Sequence, residues 1–147
     1  MFADLLKRLT QPAPDRKLPD ADARLALSAL LVRVARADGD YAPEEIQKID
    51  RILMSRFGVS PHEAVALRKD AEVLESEAPD TVRFTRAIKE AVPYEERVSV
   101  IEALWKVALI DGGRDESEDA LVRMVSSLLG VSDQDSAMAR QRIQGRA

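Results

Sequence analysis

The sequence predicts an all-α domain, and three observations predict it. Alanine, leucine, glutamate and arginine are frequent while only six residues are aromatic, which favours helix over sheet. Apolar residues recur at i, i+3, i+4 and i+7 in segment after segment, the spacing of one helical face. A unit of helix, Asp-Gly loop and second helix also occurs twice. Laying Asp38-Gly39 on Asp111-Gly112 aligns Arg24 with Arg97, Leu27 with Val100, Leu31 with Leu104 and Val34 with Val107. After a one-residue slip, Phe57-Gly58-Val59-Ser60 falls on Leu129-Gly130-Val131-Ser132. Self-similarity of this kind marks one supersecondary unit used twice, each copy burying its apolar face on the other. The expectation is a single helical domain of about seven to eight helices built from two helix–Asp-Gly loop–helix repeats.

Taken in order, residues 1–10 place Phe2, Leu5, Leu6 and Leu9 on one face of a short amphipathic helix. Three of the seven prolines then fall within residues 11–19, a linker, so the domain proper is expected over 20–147. Residues 20–37 form the first central helix, with Leu25, Leu27, Leu30, Leu31, Val32, Val34 and Ala35 around nearly its whole circumference, the mark of a buried helix. After the loop at 38–42, Pro43 opens a helix with Glu44 and Glu45 behind it; proline needs no amide partner there and carboxylates suit the positive helix end. Ile46, Ile49, Leu53 and Phe57 are its inward stripe. Gly58 ends it, and Ser60-Pro61-His62-Glu63 is a capping box for the next helix, whose inward residues are Ala64, Leu67, Ala71 and Leu74.

A break at Ala78-Pro79 separates that helix from one carrying Phe84, Ile88 and Ala91. Residues 95–110 form the second central helix, where Ile101, Leu104, Trp105 and Ala108 repeat at helical spacing and Trp105 is expected in the core. After Asp111-Gly112-Gly113-Arg114, Asp115 can cap a helix with Glu118 three residues on, and Leu121, Met124, Val125 and Leu128 supply its stripe. Ser132 caps a last, weakly amphipathic helix.

Taken together, Ala-Asp-Gly at 37–39, the Pro-Glu-Glu helix start, Arg-Phe-Gly-Val-Ser-Pro at 56–61, Glu-Ala-Pro-Asp-Thr-Val-Arg-Phe-Thr-Arg at 77–86, Glu-Glu-Arg at 95–97, Glu-Ala-Leu-Trp-Lys-Val-Ala at 102–108 and Asp-Gly at 111–112 resemble the TerB-like family, named for tellurite resistance. The resemblance runs from about Leu25 to Arg140, is strongest to stand-alone bacterial members, and extends to the cytoplasmic domain of a membrane-anchored DnaJ-type co-chaperone. It implies an all-helical fold with two Asp-Gly loops and a role in a metal-linked stress response. Two positions depart from the family pattern. Ala42 stands where an acid is usual before the Pro-Glu-Glu turn, and Gly113-Arg114 replaces a small-to-apolar pair.

Composition excludes several function classes. Cysteine is absent, so thiolate chemistry and disulfides are out, and a cytoplasmic address is the default. A net charge of -4 with scattered Lys and Arg argues against nucleic acid as a partner. The most apolar runs fall short of a membrane span. An enzyme would need a nucleophile with a base, a carboxylate pair in a cleft or a phosphate-cradling glycine loop; the lone His62 lacks partners and no such loop is present, so the chain is read as non-catalytic. What remains is the acidic loops. Asp38, Asp40 and Glu45 in one, with Asp111, Asp115 and Glu118 in the other, offer oxygen ligands without His or Cys, a set suited to Ca²⁺, Mg²⁺ or Mn²⁺ and not to zinc or copper. The loops are not EF-hands, since glycine directly follows the first aspartate. The same carboxylates also suit a purely structural role, with the aspartates in Asx turns and Glu45 and Glu118 at helix starts. Two functions therefore stand side by side: a module responding to a divalent cation, and a metal-independent module that binds another protein. Parallel packing of the central helices would let the two loops converge; antiparallel packing would separate them.

Overall fold

The computed structural model describes residues 20–37, 39–77, 81–110 and 116–145. The expectations placed on residues 1–19, and on Asp38, Asp111 and Asp115, lie outside the described residues.

Within them the chain is all-helical: α1 (Asp20–Ala35), α2 (Pro43–Phe57), α3 (Pro61–Glu77), α4 (Thr81–Ala91), α5 (Tyr94–Ala108), α6 (Glu116–Leu128) and α7 (Asp133–Gly145). The two central helices are α1 and α5, and they pack on each other, which is consistent with the repeat. In α1 every residue from Ala26 to Ala35 except Arg33 is buried, as expected of a helix apolar all round. In α5, Val100, Ile101, Leu104, Trp105, Val107 and Ala108 are buried, and Leu31 and Leu104, aligned in the repeat, are both fully out of water. The first half adds α2 and α3 to α1; the second adds α6 and α7 to α5.

Local signals explain the boundaries. Gly58 and Gly130 both take left-handed backbone, with φ of 64° and 75°. The Gly58 amide donates to the Met54 carbonyl, closing α2, while the Val131 amide reaches back to the Ser126 carbonyl in a Schellman arrangement that closes α6. Nothing would touch a Cβ built on Gly58, so the backbone alone sets the penalty for a side chain there. Gly58→Ala is expected to lower stability by about 1 kcal/mol, and Gly58→Asn by less, in urea unfolding. The predicted box at α3 is present: the Ser60 amide donates to Glu63 Oε1 at 3.0 Å and the Glu63 amide to Ser60 Oγ at 3.2 Å. Ser132 Oγ likewise accepts from the Asp135 amide at 3.0 Å.

One stripe differs from expectation. Met124 on α6 is exposed, and the buried residues are Glu118, Val122, Val125 and Ser126. The inward face is rotated because Ser126 faces α7 to join a buried hydrogen-bond chain. Trp105 Nε1 donates to Ser136 Oγ at 3.3 Å, the two serine hydroxyls lie 2.9 Å apart, and Ser126 Oγ donates to the Val122 carbonyl. Since Ser126 spends its one proton on Val122, the Ser136 hydroxyl donates to Ser126.

Three contacts fix the relative direction of the central helices. The Arg24 guanidinium lies 5.1 Å from the centre of the Phe57 ring, Arg56 donates to Ser99 Oγ at 2.7 Å, and Arg97 donates to the Leu129 carbonyl at 3.4 Å. The starts of α1 and α5 and the ends of α2 and α6 therefore share one end of the domain. It follows that α1 and α5 run in the same sense. Their C-terminal ends, Ala35 and Ala108, point towards the opposite end.

Candidate functional site

At that opposite end the first loop is built from short-range bonds. The Gly39 amide donates to the Arg36 carbonyl at 3.0 Å, Gly39 adopts a φ of 81°, and the Ala42 amide donates to the Asp40 carbonyl at 3.1 Å. Asp40 is exposed. Pro43 then starts α2, and Glu45 Oε1 accepts from the Ala42 amide at 3.2 Å. This is half of a capping box, since Ala42 has no side-chain oxygen to return to the helix.

Glu45 and Glu118 hold the same place in the two halves, third in α2 and third in α6, and both are buried, with 5% and 2% of their surface exposed. That is unusual for the position. A glutamate in the first turn ordinarily sits in water, where the helix dipole favours it at no desolvation cost, as Glu63 does at the start of α3. There the hydrogen bonds from Ser60 hold the exposed Glu63 carboxyl below its ordinary range. Withdrawing a carboxylate from water costs several kcal/mol unless donors or a counter-charge replace the water. Two aligned carboxylates are thus drawn inward in the first turns of α2 and α6.

The six residues singled out from sequence are placed as follows. Glu45 and Glu118 are buried, Asp40 is exposed, and Asp38, Asp111 and Asp115 lie outside the described residues. Among the described residues no three His, Cys, Asp or Glu side chains gather as a metal site. A cation at this end would therefore have to draw on Asp38, Asp111 or Asp115 as well. The donor chemistry suits a hard cation, being carboxylate oxygen throughout. His62 is exposed.

Sequence reasoning missed the polar network that holds the first loop. The Tyr41 hydroxyl donates to Glu72 Oε2 at 2.6 Å, and the Arg36 guanidinium lies 4.9 Å from the Tyr41 ring centre. Arg36 donates to Glu75 Oε1 at 2.7 Å, and Arg33 pairs with the other Glu75 oxygen at 3.2 Å while reaching Thr81 Oγ1 at 3.3 Å. Arg68 completes the set, bound to Asp50 at 2.6 Å and to Glu72 at 3.0 Å. Burial, reinforced by the Glu72 carboxylate, pushes the Tyr41 hydroxyl above its ordinary value, so it stays a proton donor throughout the neutral range. Only the Arg68–Glu72 pair had a signal in the sequence, its i, i+4 spacing. Tyr41 and Glu72 are 31 residues apart, and no periodicity joins them.

Residues 24–141 match the model of the family described as tellurite resistance protein TerB, and the chain belongs to that family. The match includes both Asp-Gly sequences. No curated protein and no solved structure matches the chain. Among the described residues no helix is long and apolar enough to cross a membrane.

Proposed function

We propose that this TerB-family domain is a non-catalytic binding module whose acidic end takes a hard divalent cation, Ca²⁺, Mg²⁺ or Mn²⁺. Its ligands are drawn from Asp38, Asp40, Glu45, Asp111, Asp115 and Glu118, in the tellurite-resistance setting from which the family takes its name. The observation that carries the reading is the matched burial of Glu45 and Glu118, the third residues of α2 and α6. A cation there would offset the repulsion among neighbouring carboxylates, and the positive ends of α2 and α6 would moderate that repulsion when no cation is bound, so folding does not require the metal. Neighbouring starts of α1 and α5 are compatible with a site shared by the two segments.

Thermal unfolding in each cation tests this. A ligand held only by the folded chain stabilises it by about 2.7 kcal/mol at roughly one hundred times its Kd. For a domain of this size that raises Tm by about 5–10 °C. Asp38→Asn combined with Asp111→Asn should abolish the rise and leave the helical circular dichroism intact. Absence of any rise in the wild-type chain at millimolar Ca²⁺, Mg²⁺ and Mn²⁺ removes the cation, and the domain is then a metal-independent module for a protein partner.

A further inference from the structure

We infer that Tyr41 and Arg36 are positioning residues, fixing the segment between α1 and α2 on α3 through Glu72 and Glu75 with side chains that the sequence does not repeat in its second half. The inference rests on the reading of these loops as the functional end, but its first test needs no ligand.

Three facts carry it. The loop between α1 and α2 is gripped on both sides, by Arg36 on Glu75 just before it and by Tyr41 on Glu72 just after the exposed Asp40. The two grips are joined, because the Arg36 guanidinium also lies against the Tyr41 ring. The acceptors are themselves held in place: Glu72 accepts from Arg68, which is anchored on Asp50 of α2, and Glu75 accepts from Arg33 of α1. A short loop tied at both ends to one rigid helix loses most of its backbone freedom, and the side chains it carries meet a ligand with less ordering left to do.

None of the four clamp residues recurs in the second half. The repeat alignment sets Leu109 opposite Arg36 and Arg114 opposite Tyr41, and, after the one-residue slip, Gln144 opposite Glu72 and Ala147 opposite Glu75. Leucine and alanine cannot make the Arg36–Glu75 ion pair, and arginine with glutamine cannot make the tyrosine-to-carboxylate bond. The set of side chains that ties the first loop to α3 is therefore not repeated at the aligned positions of the second half.

The experiment is residue-resolved amide hydrogen exchange by NMR on the whole chain, without added metal, followed by a Mn²⁺ titration. Tyr41→Phe removes only the hydroxyl and should speed exchange at Gly39 and Ala42 by about five- to tenfold, as the loss of one shielded hydrogen bond allows, with the amides of Leu31 and Leu104 unchanged. Glu72→Gln keeps an acceptor for Tyr41 and should exchange near the wild-type rate, whereas Glu72→Ala should behave like Tyr41→Phe. That rescue separates positioning from a general loss of stability. In the titration Tyr41→Phe should weaken Mn²⁺ binding by about fivefold at unchanged stoichiometry. Wild-type exchange at Gly39 and Ala42 in Tyr41→Phe overturns the inference, and so does unchanged Mn²⁺ affinity in that variant. If the wild-type chain binds no Mn²⁺ while the exchange effect is present, the cation reading falls and the clamp stands.

Discussion

Leu104→Asp and Leu31→Asp are each expected to cost about 3–5 kcal/mol, enough to abolish most of the folded population. Both leucines are fully buried, at aligned positions of the two helices that pack across the centre of the domain. Both lie within the buried hydrophobic cluster, so a carboxylate at either position is withdrawn from water, whether it stays charged or takes up a proton. Leu104→Met, which conserves volume and polarity, should cost less than about 1.5 kcal/mol. Urea unfolding followed by circular dichroism reads both. A cooperatively folded Leu104→Asp with near-native stability would move α5 out of the core and undo the repeat-based packing.

Trp105→Ala is the second large effect, expected at about 3–5 kcal/mol. Trp105 is 1% exposed and is the largest of the fully buried side chains. Its removal empties the space between α5 and α7, takes away the donor at the head of the chain through Ser136 and Ser126, and strips the Arg140 guanidinium of the ring 5.0 Å beneath it. Trp105→Phe fills most of the volume and loses chiefly the Nε1 hydrogen bond, so a cost of about 1–2 kcal/mol separates the two contributions. Because Trp105 is the only tryptophan, unfolding must be followed by circular dichroism and not by indole fluorescence. Equal costs for the two variants would show that packing volume is not what the residue supplies.

The fold was legible wherever a local rule and the global packing agree. The continuous apolar surface of residues 25–35 can only be a buried helix, and Gly58 and Gly130 stop their helices because left-handed backbone is where glycine is cheapest. Met124 misled because a long apolar side chain fits the period of the stripe, while the position that faces α7 is taken by Ser126, whose hydrogen-bonding partner lies ten residues further on. The site was legible in composition but not in arrangement. The first-turn position of Glu45 and Glu118 follows from Pro43 and from the repeat, but their burial depends on what packs over them. The Tyr41–Glu72 and Arg36–Glu75 contacts bring together residues 31 and 39 positions apart, a distance at which a single sequence carries no pairing signal.

The central claim is that both halves present their carboxylates at one end of the bundle, where a divalent cation binds. Paramagnetic broadening of amide resonances by substoichiometric Mn²⁺ tests it most directly, because the effect falls steeply with distance from the ion. The account predicts selective loss of the signals of Gly39, Asp40, Glu45 and Glu118, with Gly58 and Gly130, which close α2 and α6 at the opposite end, left sharp. Broadening centred on Gly58 and Gly130, or no selective broadening at any Mn²⁺ concentration, would contradict it.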